Sequence, residues 1–127
     1  MRLKKFNIPV GAQIFKACSE EPRIRVLNLI LQKKKVSISD VESITDYTQS
    51  KVSRHITYLK NAGMLNAEQH QNWVLYSLKE EVLDIVQQIF IFLEKDPVLR
   101  ADIEIYNTLF SNRELSVNKI PKQGYNN

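Results

Sequence analysis

The stretch Thr48-Gln49-Ser50-Lys51-Val52-Ser53-Arg54-His55-Ile56-Thr57-Tyr58-Leu59-Lys60-Asn61-Ala62-Gly63 decides the fold. Val52, Ile56 and Leu59 recur at intervals of four and three, the spacing of a narrow buried stripe on a helix. Thr48 is placed to cap the start, and Gly63 tolerates the left-handed backbone that ends such a helix. With the stripe turned inward, Gln49, Ser50, Ser53, Arg54 and Thr57 point largely away from the core.

Upstream, Val41 and Ile44 give a short helix its buried side, with Ser39 and Glu42 in the capping-box relation at its start and an end near Asp46. Helix, tight turn at Tyr47–Gln49, helix is therefore the predicted shape. Two more helices precede it. Gly11 to Ser19 carries Ala12, Ile14, Phe15 and Cys18 at helical spacing. Pro22 fits the first turn of the next, whose stripe of Ile24, Leu27, Leu29, Ile30 and Leu31 runs to about Lys33. Val36-Ser37-Ile38 reads as extended.

Downstream, Met64–Glu68 and Trp73–Leu78 read as strands joined by Gln69-His70-Gln71-Asn72. Ser77 and Glu80 form a second capping-box pair before a long helix from Glu81 to about Lys95. Asp96-Pro97 starts another helix, reaching roughly Phe110. Residues 111–127 are polar and predict a loose tail, so that residues 1–110 form one domain. The fold class is mainly α: a winged helix-turn-helix with a two-stranded β wing and flanking dimerisation helices.

The second helix of a helix-turn-helix reads base edges in the major groove, and the outward residues suit that task. Arginine bonds guanine bidentately, glutamine bonds adenine, and serine or threonine reaches a base or a phosphate. The net charge of +4 is a mild bias, but its distribution is uneven. Met1 to Lys35 holds nine basic and two acidic residues, whereas Lys79 onward holds six and eight. A polyanion and an ordinary solvated face compete as explanations of that asymmetry.

Three segments in order resemble ArsR/SmtB-type regulators: SKVSRHITYLKNAGML (50–65) their recognition helix and exit turn, FKACSEEPRIRVLNLIL (15–31) their opening helices, and WVLYSL (73–78) their second wing strand. The resemblance spans about Gly11 to Lys95. It implies a dimeric winged-helix repressor on double-stranded DNA, released by a metal ion or other small signal. By position it adds His55 to Gln49, Ser50, Ser53 and Arg54 as DNA contacts, with Lys51 and Lys60 on phosphates. For His55, a place at the core edge beside Ile56 is the competing reading. The wing departs from the family pattern, offering Glu68, Gln69, His70, Gln71 and Asn72 where relatives carry arginines and a glycine. His70, Gln71 and Asn72 are its candidate contacts.

Metal-responsive relatives carry cysteines near the third helix or Asp/His pairs on a C-terminal helix; this chain has neither. Cys18, His55 and His70 lie in three elements without ligand spacing, so no metal site and no cofactor is expected. Cys18 reads as core packing, and a small-molecule effector, if used, is not specified by these residues.

The 81–95 helix carries Val82, Leu83, Ile85, Val86, Ile89, Phe90, Ile91, Phe92 and Leu93, too many for one buried face. A second subunit covering Val82, Ile85, Ile89 and Phe92, with Leu3, Phe6, Ile8 and Phe15 assisting, makes a homodimer the expected state. The longest apolar run, Ile89–Leu93, is too short to span a membrane, and no export signal is read at the start, so a cytoplasmic protein is expected. No phosphate loop, paired-histidine motif or nucleophile elbow argues for an enzyme. The alternative function is a winged-helix module that binds protein and not DNA.

Overall fold

The structure, a computed structural model, describes the backbone of residues 6–119 and the side chains of residues 6–110. Helix α1 (Ile8–Ala17) starts three residues before the expected Gly11, because Asn7 Oδ1 accepts from Val10 N at 3.1 Å and Pro9 suits the first turn. Helix α2 (Glu21–Lys33) runs through the centre of the domain and buries Val26, Leu27, Leu29 and Ile30.

Val36 then pairs with Tyr76, its N–H donating to Tyr76 O at 3.1 Å and its carbonyl accepting from Tyr76 N at 2.8 Å. That bridge holds Ser37 extended, and Ser37, not Ser39, caps α3 (Ile38–Thr45). Its hydroxyl accepts from Asp40 N at 3.1 Å, while Asp40 Oδ2 accepts from Ser37 N at 2.9 Å. The capping box expected at Ser39 and Glu42 therefore sits two residues earlier.

A three-residue turn, with Asp46 left-handed at φ 66°, leads into α4 (Gln49–Asn61). Thr48 caps α4 through Lys51 N at 3.2 Å, as expected, and Gly63 at φ 81° redirects the chain afterwards. Strands β1 (Leu65–His70) and β2 (Trp73–Leu78) pair antiparallel from Leu65↔Leu78 to His70↔Trp73. The turn is thus Gln71-Asn72 alone, with Gln71 at φ 53°, and the expected four-residue connection is half absorbed into the ladder.

Helix α5 (Glu80–Ile91) has Lys79 as its cap residue without a side-chain bond, so the Ser77/Glu80 box does not form. It ends four residues before the expected Lys95. Helix α6 (Pro97–Lys119) opens as expected, Asp96 Oδ1 accepting from Val98 N and Leu99 N. It continues past the expected end at Phe110, so the boundary drawn there falls inside a helix. Of the expected tail, residues 120–127 lie outside the described residues.

The core is continuous: Ile14 and Ala17 of α1, the α2 stripe, Val41 and Ile44, Val52, Ile56 and Leu59, Met64 and Leu65, Val82, Val86 and Phe90, and Tyr106. Burial of the α4 stripe fixes that helix's rotation about its own axis. Among the described residues no helix is long and apolar enough to cross a membrane.

Candidate nucleic-acid interface

With Val52, Ile56 and Leu59 buried, α4 presents Gln49, Ser50, Arg54, Thr57 and Lys60 fully to solvent, and Ser53 and Lys51 half so. The helix carries no acidic residue, and its leading N–H groups point forward beyond the Thr48 cap. Positive side chains, amides, hydroxyls and a helix N-terminus share one face. Such a surface can neutralise phosphates and bond base edges at once.

His55 is the exception among the expected contacts. It is 5% exposed and faces the interior. Arg23 Nη1 donates to its Nδ1 at 3.2 Å; a guanidinium has no acceptor, so the imidazole accepts there and carries its proton on Nε2. Burial, and then the positive charge of Arg23, push the His55 pKa below its ordinary value. The core-edge reading of this residue therefore describes its position.

Arg23 itself is buried. Its Nε donates to Ala17 O at 2.8 Å, at the C-terminal end of α1, and its Nη2 to Lys16 O at 3.2 Å, a carbonyl that also accepts from Ser19 N and Ser19 Oγ. The guanidinium lies 3.9 Å from the centroid of the Tyr58 ring on α4. One side chain of α2 thus joins α1 to α4. Sequence reading counted Arg23 only as surface charge, yet its place three, four and seven residues before Val26, Leu27 and Ile30 puts it on the buried stripe. A second joint was equally unread: Arg25 of α2 meets Tyr47 in the turn and Asp102 of α6.

In the wing, Gln71 and Asn72 are exposed at the turn, and His70 is half-buried. Glu68 faces Lys35 Nζ at 3.0 Å and His70 Nε2 at 3.4 Å. Lys35, by hydrogen bond and charge, holds the Glu68 carboxyl below its usual range. The wing's one carboxylate is thereby held in a surface ion pair with Lys35.

The residues expected to meet a second subunit divide. Phe6, Ile8 (86% exposed), Phe15 and Phe92 (87%) are uncovered, joined by Ile91, while Ile85 and Ile89 are half-buried. Val82 is a correction: it is enclosed in the protomer's own core, one turn from Val86, and cannot face a partner. Leu3 lies outside the described residues. Among the described residues no three His, Cys, Asp or Glu side chains converge as metal ligands. Cys18 is half-buried against the core, where burial raises its thiol pKa and the Arg23 charge only partly opposes the rise.

Comparison with known proteins places this geometry. Residues 20–67 match the bacterial regulatory protein, arsR family. The arsenical resistance operon repressor of Bacillus subtilis is 32% identical over 69 residues, covering 54% of this chain and 66% of that protein, just under two thirds of its length. Among solved structures, HlyU from Vibrio cholerae superposes with a TM-score of 0.61 at 24% identity, over 66% of this chain and 91% of that one. The homodimeric winged helix-turn-helix DNA-binding domain of Mb0332 from Mycobacterium bovis gives a TM-score of 0.61 at 18% identity, over 68% and 81%. The fold is a winged helix-turn-helix.

Proposed function

We propose that the chain, whose residues 20–67 match the arsR family of bacterial regulatory proteins, is a cytoplasmic, non-enzymatic transcriptional repressor of that family that binds a palindromic operator as a homodimer. The observation that carries this reading is the face of α4. Gln49, Ser50, Ser53, Arg54 and Thr57 stand outward on a rod whose opposite side is locked in the core, with Lys51 and Lys60 on its flanks.

In this assignment Arg54, Gln49 and Ser53 read bases, Ser50, Thr57, Lys51 and Lys60 take base edges or phosphates, and His55 supports the helix from behind. Gln71 and Asn72 of the wing approach the neighbouring backbone as neutral hydrogen-bonding groups, with His70 beside them. Ile8, Phe15, Ile91 and Phe92, helped by Phe6 and the rims of Ile85 and Ile89, are apolar groups that a second copy would cover. Two-fold symmetry then sets two α4 helices about one DNA turn apart, ~34 Å.

The test is selection of bound fragments from the source genome with the wild-type chain, followed by Arg54→Ala on the selected site. Arg54 is exposed on the face of α4 opposite the buried stripe, so the fold is expected to survive the change within about 0.5 kcal/mol. Base readout predicts a loss of ~1–3 kcal/mol in DNA affinity, about 5- to 150-fold, with relaxed preference at one base pair. An equal loss on every sequence would move Arg54 to a phosphate. Failure of the wild type to bind any duplex at low salt would overturn the function and favour a protein-binding winged helix.

A further inference from the structure

Tyr47 occupies the middle of the three-residue turn between α3 and α4. Two cations converge on it. Arg25 Nη1 donates to its hydroxyl at 3.2 Å with the guanidinium 5.0 Å from the ring centroid, and Lys51 Nζ lies 4.3 Å from the same centroid. An aromatic face attracts each cation, but the two repel one another unless one is compensated.

Asp102 supplies the compensation. Arg25 Nε donates to its Oδ2 at 2.9 Å and Nη2 to its Oδ1 at 2.8 Å, a two-pronged pair, and Asp102 is 1% exposed. The carboxylate comes from α6, 77 residues further along the chain than Arg25. It faces no other described ion-pair partner. Its fork engages the Nε and Nη2 side of the guanidinium and turns Nη1 toward Tyr47, so the carboxylate sets where the guanidinium, the ring and finally the Lys51 ammonium sit.

We propose that Asp102 is a positioning residue for DNA reading: acting through Arg25 and Tyr47, it fixes the helix-turn-helix turn and places Lys51, so that the aim of α4 depends on α6. The proposal rests on the reading of α4 as the DNA-contacting helix. It differs from a simple staple between α6 and α2, which would add stability and leave the DNA affinity of the folded protein untouched. It also differs in sign from plain electrostatics. Deleting a carboxylate from a DNA-binding protein strengthens its attraction to phosphates, whereas mis-aiming α4 weakens binding.

The experiment measures affinity of the full chain for a duplex selected by the wild type, with each variant's active fraction titrated and the temperature held well below its Tm. Asp102→Asn is expected to bind about 10-fold more weakly, the scale on which residues within a coupling network act. Tyr47→Phe keeps the ring and deletes only the hydroxyl that Arg25 reaches, so it folds and loses a smaller factor, about 3-fold. In a Lys51→Met background, Asp102→Asn is expected to add less than 2-fold, because its route to the DNA has gone. Side chains without shared partners are ordinarily additive, which makes that shortfall diagnostic.

Unchanged or tighter binding by Asp102→Asn, or the full loss persisting beside Lys51→Met, would overturn the proposal. Where Asp102→Asn does not fold, wild-type affinity in Tyr47→Phe would do the same. A wild-type chain that binds no duplex instead defeats the functional reading on which the proposal stands.

Discussion

Replacing Arg23 by alanine tests the joint between α1, α2 and α4 most directly. The side chain donates to Ala17 O and His55 Nδ1 in a buried setting and to Lys16 O at its edge, lies against the Tyr58 ring, and comes within 3.6 Å of Glu20 Oε1. Hydrogen bonds from a charged donor are worth about 1.5–3 kcal/mol each, and a desolvated cation–π contact about 2. These do not add, because burying the guanidinium has its own desolvation penalty, which the alanine variant escapes. Removing one partner from a buried charged network typically costs about 3–5 kcal/mol, and we expect that range. For a chain of this length each kcal/mol lowers Tm by about 4 °C, so a fall of about 12–20 °C should follow.

The assay is urea unfolding at fixed protein concentration, followed by far-ultraviolet circular dichroism and by Trp73 fluorescence. The midpoint should move with the slope unchanged. Arg23→Lys keeps the charge but not the fork, and it should lose more than half as much. A destabilisation below about 1 kcal/mol for Arg23→Ala, with coincident probes, would refute the idea that this guanidinium holds the three helices together.

Two further outcomes follow from the same geometry. The folded state holds His55 neutral with its pKa lowered, so the unfolded chain binds more protons in acid. Its contribution is present above the ordinary imidazole value of 6.5 and is lost as pH falls through the depressed folded value. Tm measured from pH 8 to pH 5 should therefore drop at the acid end, and His55→Gln, whose amide oxygen can still accept from Arg23, should flatten that part of the curve; an identical profile would exclude the residue as the cause. Lys60→Gln, changed in both protomers of a dimer, should lower the log–log salt slope of DNA binding by about 2 units, at ~0.9 per phosphate contact. An unchanged slope in a fluorescence-anisotropy titration would remove Lys60 from the phosphate set.

The α4 face was legible because its period is local: Val52, Ile56 and Leu59 name the buried side and, by exclusion, the outward one. Gly63 and Asp96-Pro97 were likewise readable from single residues with one conformational preference. The errors share a different origin. Ser37-Ile38-Ser39-Asp40-Val41-Glu42 contains two overlapping cap-to-acid spacings, and the choice between them is made by the Val36 bridge to Tyr76, 40 positions away. The hairpin turn lacks the Asn-Gly pair that announces a two-residue loop, and Gln71 adopts positive φ under the pull of the His70–Trp73 pairing. Local spacing left His55 between two readings and put Val82 on the wrong side, because their partners lie on other helices. The same holds for Arg25 and Asp102, whose pairing no helical period could disclose.

The guanidinium between α1 and α4 has a further consequence for how two copies meet an operator. If α1 helps to join the copies, the surface that sets their separation and the surface that enters the groove are tied to one rigid joint. Neither can swing without breaking bonds to Ala17, Lys16 and His55. Inserting a single base pair between half-sites rotates the second by about 35° around the duplex axis, and a joint of this kind has no slack to follow it. The tolerated spacing between operator halves is then a property engraved in the protein's interior, far from any base it touches.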